Sequence, residues 1–492
     1  MEYLALTLFL ASVGAPSSEV GSQVLARLER AYGGPHLHRL ARLRIESDGR
    51  LAWPGQGQSS EFVEFATDRM VKYFEFRKLR GTVERWTRQN GNVYHHRYVV
   101  DGDGAATVDY NEMTFERDPE GSFLGAFSPD YRGSDLLLAR ALAVEKAKFS
   151  HEGRRFYDGR THDLLAFRVA PDTPLLTIYV GQDGLIRRLS MTRPVGRVDI
   201  VFAEHQRSKG VVFAGETRSF LDGTLVEYTS RLSTAPNPDR SEALELSDRL
   251  RPARRLVDTS SMTVDQLGAG VYLVGQEDYS LFVEHEQAYI AVNTSAGLKA
   301  RFEALESHTH RAWPLAKAIA THHHRDHMDG LEEAIALGAT VYLTPTARQV
   351  LSRKRAERQS SARVMELRDG QELGPLTVYV RPTSHAVENA FVYHRAERLL
   401  FQDDHYHGRF VSGPSWAQPT AVMLHQLLAS LGIEVRALLS GHARKAEPRR
   451  LFDEAVQRTR PENLCPTGRS ICRGPQDGSP RGRSRREPAV KR

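Results

Sequence analysis

Hydrophobic and polar positions change their rhythm twice along this chain. Near the start, Val24, Leu25, Leu28 and Tyr32 fall at helical spacing and Gly33-Gly34-Pro35 follows, which predicts a helix that ends there. The pattern then becomes strand-like. Segments 61–77, 177–191 and 198–231 are rich in Val, Phe, Tyr, Ile and Thr and are punctuated by Asp183-Gly184, Lys209-Gly210 and Asp222-Gly223. Successive hairpins of that length predict a meander, and one helical interval, 135–148, is placed to pack across its face. Residues 20–250 therefore read as a curved antiparallel sheet domain, closed by the polar linker Ala235 to Glu242.

Beyond the linker the period mixes. Strands are predicted at 270–274, 280–284 and 288–292, followed by alternating helices and short apolar strands and a last helix near 447–458. The whole chain is thus expected to be α+β, with a sheet domain at 20–250 and a mixed domain at 251–459. No period of 20 to 50 residues recurs, so repeat architectures are excluded.

Composition narrows this picture. The 492 residues are 40% hydrophobic and 26% charged, ordinary values for a globular protein and enough for more than one core. Only Cys465 and Cys472 are present, so neither a disulfide framework nor a cysteine-rich zinc module is available, and a metal would have to be held by His, Asp or Glu. The net charge of +6 lies entirely in residues 460–492, with nine Lys or Arg and three acids, leaving 58 basic and 58 acidic residues elsewhere. That tail is expected to be disordered and solvated rather than a polyanion-binding arm. At the other end, Tyr3 to Val13 is too short to span a bilayer but suits a signal peptide within residues 1–19. A periplasmic or secreted location is therefore expected. The cytoplasm is the alternative, since the segment before the apolar run has Glu2 and no Lys or Arg.

Thirteen of the twenty histidines lie after residue 250, and their spacing is more telling than their number. An apolar strand, 315–321, runs directly into Thr321-His322-His323-His324-Arg325-Asp326-His327. In extended backbone His322 and His324 share a side and can chelate one ion, while Asp326 and His327 can turn toward a second if the chain bends into a helix near Gly330. Three further candidates follow apolar strands: His385 after 376–380, Asp404 after 399–401 and His442 after 435–439. Imidazoles and carboxylates gathered at strand ends point to a metal site rather than to a solvated polar loop.

With these motifs in order, residues from about 262 to 459 resemble the metallo-β-lactamase superfamily, whose members are αββα sandwiches. The resemblance implies a first ion on His322, His324 and His385, a second on Asp326, His327 and His442, and Asp404 bridging them. It implies two Zn2+, with iron or manganese as alternatives. The opening helix, the Tyr-Gly-Gly turn and the hairpin series resemble the half-barrel of periplasmic lipoprotein-sorting carriers.

Two departures stand out. Asn293-Thr294-Ser295 replaces an Asp-Thr-Gly that many members carry, so a supporting carboxylate becomes an amide. Asp403-Asp404 replaces Gly-Asp, and strand alternation selects Asp404 as the bridge and turns Asp403 elsewhere. His323, His405 and His407 are expected outside the ligand set, and Tyr406 as a half-buried tyrosine rather than an oxyanion donor.

The chemistry implied is hydrolysis by a metal-bridging hydroxide, with Asp326 ligating one ion and taking up the proton. Lactamases with a cysteine ligand are excluded, and Asp404 favours an ester, thioester, lactone or phosphodiester substrate. The short intervals between His385, Asp404 and His442 leave no room for a nuclease insertion, so a small acyl compound is expected and nucleic acid is not. Two alternatives remain: an iron-dependent sulfur dioxygenase on the same fold, and an apolar-ligand or lipid carrier with an inactive second domain.

Overall fold

The computed structural model describes residues 19–458 apart from 62, 91, 103, 146, 240–243, 254–259, 356–362 and 409–416. The expected leader (except Glu19) and basic tail, and part of the linker, lie outside the described residues.

A sheet of fourteen strands occupies the N-terminal half. From Arg42–Ala52 it runs one way through Phe65–Glu75, Arg80–Gln89, Asn92–Asp101 and Gly104–Asp109 to Thr114–Asp118. The other way it runs through Thr224–Pro236, Val211–Leu221 and Gly196–Ser208, ending at Phe149–Tyr157. Every pairing is antiparallel except that of the two-residue edge strand Arg251–Pro252, which lies parallel to Thr114–Asp118. The meander arises from its turn chemistry. At Asp222 and Gly223 the φ angles are 46° and 84°, the left-handed pair that a two-residue hairpin matching the strand twist requires.

Helices Glu19–Ala31, Phe123–Arg132 and Asp135–Ala143 share one core with these strands, in which Leu28, Tyr32, Phe127, Leu136 and Leu137 have no exposed surface. The first and third match predicted helices with shifted ends; the second, at 123–132, has no counterpart in the sequence reading. Asp135 fastens the third helix to the sheet. Its carboxylate accepts from the Ala214 amide and the Tyr32 hydroxyl, both at 2.9 Å, and stands 3.3 Å from His205. Burial alone would raise its pKa, but the His205 hydrogen bond and the Arg231 charge hold it below the usual carboxylate range.

The C-terminal half holds two further sheets. One has seven strands, from Thr263–Gly268 to Val364–Glu366; the other has six, from Gln371–Leu373 to Ala443–Pro448. Val271, Leu273, Leu281, Ile319, Val378, Phe401 and Leu439 form an apolar layer between the two sheets. Helices Leu298–Thr309, Leu331–Ala336 and Pro345–Arg355 cover the outside of the first sheet, and Pro419–Leu431 and Arg449–Gln457 the outside of the second. The order of layers is helix, sheet, sheet, helix. Strands buried on both faces read as continuous apolar runs, which is why Val271–Gly275 and Leu399–Phe401 lack alternation. Among the described residues no helix is long and apolar enough to cross a membrane.

Candidate metal centre

All the predicted site residues leave the ends of strands along one rim of the paired sheets. His322 to His324 follow Leu315–Ile319, His385 lies between Leu376–Arg381 and Asn389–His394, Asp404 follows Leu399–Phe401, and His442 follows Ala437–Ser440. The chain bends earlier than the sequence implied: a short helix, Arg325–Met328, carries Asp326 and His327. At His385 the turn is built by Thr383, whose hydroxyl accepts from the amides of His385 and Ala386 and from Asn389 Nδ2.

Besides the trio His322, His327 and Asp403, two sets of four side chains each place one ligand-capable atom per residue within 4.8 Å of one another: His322, His324, His385 and Asp404, and Asp326, His327, Asp404 and His442. Asp404 belongs to both. Its Oδ2 is 2.9 Å from Nε2 of His327, 2.9 Å from Nε2 of His385 and 3.3 Å from Nε2 of His322, and its Oδ1 is 3.0 Å from Nε2 of His442. Oδ2 of Asp326 stands 3.4 Å from His327 Nε2 and 3.6 Å from His442 Nε2. The first set is almost sealed from solvent. The second opens outward, with His442 and Asp326 side chains 29% and 38% exposed.

The imidazoles show a division of labour between their two nitrogens. His322 Nδ1 lies 3.1 Å from the Thr321 hydroxyl, which itself donates to Asp403, so the ring donates outward. His327 Nδ1 meets Asn293 Oδ1 at 3.1 Å, and His442 Nδ1 meets Asp278 Oδ1 at 3.2 Å. His324 is the reverse: Nε2 donates to the Gly57 carbonyl at 2.9 Å, and Nδ1 is buried with no hydrogen-bond partner. In each of these four rings one nitrogen is tied to a protein oxygen and the other faces the cluster. Such anchoring fixes the tautomer and aims a lone pair. A buried imidazole nitrogen without a partner, set among carboxylates, fits a cation.

Electrostatics agree with that fit. Burial, followed by the neighbouring His324 and His327 charges, pushes His322 well below the usual histidine range, and burial with His385 brings His324 down to about 3. Asp404 is buried and Asp326 partly so, which raises a carboxylate pKa. His327 and His385 beside Asp404, and the His442 hydrogen bond with the His327 charge at Asp326, outweigh burial and hold both well below the usual range. His327 and His442 are raised despite burial, the first by Asp403 and Asp404, the second by Asp278, Asp326 and Asp404. A divalent cation competes with a proton for those same lone pairs.

Asp403 corrects one expectation. It does not turn elsewhere but lies buried behind His327, its Oδ2 3.1 Å from Nδ1 of that ring and its Oδ1 accepting from the Gly441 amide at 2.9 Å. Strand alternation does not govern the choice, because Phe401 ends the strand and Asp403–His405 is a helical turn with Asp403 at φ 57°. Close approach explains Gly441: a Cβ there would lie 2.2 Å from Asp403 Oδ1 and 2.5 Å from Asn293 Nδ2. Tyr406 is more buried than expected and packs on Phe452 in the outer core, away from any oxyanion role. His405 and His407 lie just outside the two sets, with rings 5.6 Å from His385 and 5.4 Å from His442, and burial lowers them to about 3 and about 4. His323 is buried beside His324, with ring centroids 5.0 Å apart.

Sequence reading missed Asp278, Gln56, Gly57 and Tyr94. The last three belong to the large sheet, whose 53–64 loop reaches the site. Burial raises the Tyr94 phenol, against the hydrogen bond it accepts from Asn92 Nδ2.

The four layers, with paired His/Asp sets at one rim of the sheets, make an αββα sandwich whose clustered side chains could hold metal. Solved structures of that type are similar to this chain over about two fifths of its length. The metallo-β-lactamase from Hirschia baltica matches at 17% identity and TM-score 0.33, over 40% of this chain and 96% of its own. FIM-1 from Pseudomonas aeruginosa, in a mono-zinc form, matches at 19% and 0.31 over 40% and 95%. The Pontibacter korlensis metallo-β-lactamase matches at 15% and 0.31 over 39% and 96%. No protein-family profile matches the chain.

Proposed function

We propose that the protein is a metal-dependent hydrolase that holds two ions, zinc in the first instance, and acts on an ester, thioester, lactone or related small acyl compound. The observation that supports this most directly is the sharing of Asp404 between two four-residue sets. His322, His324 and His385 would hold one ion, Asp326, His327 and His442 the other, with Asp404 common to both. When bound, such ions supply a water acidified towards neutrality and a Lewis acid for an acyl oxygen.

The chain's own residues do the rest. Asp326 is partly open to solvent, with Oδ1 held by Gln56 and Oδ2 turned to His327 and His442, so its carboxylate is aimed to ligate the second ion and to orient a water beside it. The nearly sealed first set excludes bulk water, while the exposed edges of Asp326 and His442 mark the side from which substrate arrives.

Metal analysis of the purified protein, followed by an ester, thioester and lactone panel on the same sample, tests the reading. Near two zinc ions per chain and turnover of one substrate class are expected. One iron per chain with no zinc, and no hydrolysis, would replace it with the iron-dependent oxidative alternative.

A further inference from the structure

The loop from Trp53 to Glu64 leaves the large sheet between its strands Arg42–Ala52 and Phe65–Glu75 and lies across the metal centre as a strap. Its contacts fall on both ligand sets. The Gly55 carbonyl accepts from the Arg325 amide at 3.2 Å, Gln56 Nε2 donates to Asp326 Oδ1 at 2.6 Å, and the Gly57 carbonyl accepts from His324 Nε2 at 2.9 Å. Further on, Gln58 Nε2 donates to the Thr383 carbonyl at 2.7 Å and the Gln58 carbonyl accepts from the Val387 amide at 2.9 Å, bracketing His385. The strap is itself pinned to its own sheet, where Asn90 Nδ2 donates to the Gln56 carbonyl at 3.0 Å.

Two of the strap contacts engage the outward atom of a ligand candidate. Gly57 takes the Nε2 proton of His324, which leaves the lone pair on Nδ1, and Gln56 takes Oδ1 of Asp326, which leaves Oδ2 facing His327 and His442. A carbonyl or amide in that position fixes ring tautomer and carboxylate rotation without occupying the ion's place. A second anchor holds the same sheet against the site: Thr420 bonds Asn92 Oδ1 at 3.1 Å, and Gln418 Nε2 donates to the Val93 carbonyl at 2.9 Å.

We propose that the 53–64 strap is a positioning element of the metal centre, in which the Gly57 carbonyl selects the metal-binding tautomer of His324 and Gln56 sets Asp326. Both halves of the chain are then needed to build the centre. The proposal rests on the metal-centre reading above, so its test must separate the two.

The test uses the full-length protein stripped of metal and titrated with Co2+, following the visible d–d bands and the affinity against a competing chelator. Gln56→Ala and Gly57→Ala are compared with wild type. A Cβ at Gly57 would lie 2.8 Å from Glu64 Cγ and 2.9 Å from Glu64 Cβ and force the strap to shift, so Gly57→Ala/Glu64→Gly, which removes both atoms, is the rescue variant. Expected are about tenfold weaker Co2+ binding and altered d–d bands in both single variants, the usual scale for losing a group that orients a ligand, with unchanged far-ultraviolet circular dichroism. The double variant should recover most of the wild-type spectrum. Wild-type affinity and spectrum in both single variants would overturn the strap's role while leaving the metal centre standing; a wild-type chain that binds no Co2+ would overturn both.

Discussion

Asp403 Oδ2 and His327 Nδ1 stand 3.1 Å apart, so a buried carboxylate backs this ring even though the residue at the preceding hairpin, Asn293, offers only an amide oxygen at the same distance. The same carboxylate takes the Thr321 hydroxyl proton and the Gly441 amide, which places His322, His327 and His442 under one support.

Asp403→Asn should therefore loosen the second set more than the first. Roughly tenfold to hundredfold weaker binding of one of two ions is expected, because an amide orients an imidazole less strongly than a carboxylate. Asn293→Asp in that background should restore part of the loss. Stepwise metal titration by calorimetry distinguishes the two sites.

His324→Ala removes the ring whose Nδ1 is buried without a partner and leaves the Gly57 carbonyl facing empty space. The expected result is loss of at least one ion per chain and a fall in turnover of about a hundredfold or more. Metal content and activity on the same preparation check it, and full activity with a full metal complement would remove the residue from the centre.

Arg301 is a buried guanidinium that donates to Ser280 Oγ and to the Ser295 and Ala296 carbonyls, thereby bracing the Asn293-Thr294-Ser295 segment behind His327. Burial lowers its pKa to about 10, despite Asp278 and Glu333, so it stays charged at neutral pH. Arg301→Met leaves those oxygens without a donor, and a loss of about 2–3 kcal/mol is expected for buried groups so abandoned. Equilibrium urea unfolding of the metal-free protein measures it.

Glu112 sits in the turn before Thr114–Asp118, where burial and then Asp109 raise its pKa to about 7. The folded value exceeds the unfolded one, so its contribution to stability is complete below about pH 4.5 and is lost as pH rises through 7. At about 1.36 kcal/mol per unit the shift is worth up to ~3 kcal/mol, and ~1–2 kcal/mol after screening at a partly exposed turn. Glu112→Gln should stabilise the protein at pH 8, leave it unchanged at pH 4, and flatten the profile between. A thermal-melt series across that range decides.

How much of this was visible in the sequence depends on how far each contact reaches along the chain. His322, His324, Asp326 and His327 lie in one short run after an apolar strand, and His385, Asp404 and His442 each follow a strand of their own, so the seven residues could be named before the structure brought them together. The groups that hold them are mostly distant: Asp278 and Asn293 arrive from the preceding hairpin, and Gln56 and Gly57 from the other half of the chain. A carbonyl at Gly57 has no side chain to advertise it, and a polar Gly-Gln-Gly-Gln loop reads only as a loop. At Asp403-Asp404 strand alternation does not hold, because the strand ends at Phe401. The hairpins of the large sheet were legible through Asp222-Gly223 and its like. The helix Phe123–Arg132 was not, because Pro129 and mixed aromatic spacing obscure its period.

The pairing of Arg42–Ala52 with Thr224–Pro236 also sets a timetable. During synthesis, one edge of the earlier strand has no partner until Thr224 emerges, about 10–35 s later at ordinary elongation rates. Until then the nascent sheet presents an open edge of the kind that recruits other chains, and the strap beyond Ala52 waits longer still for the histidines it orients.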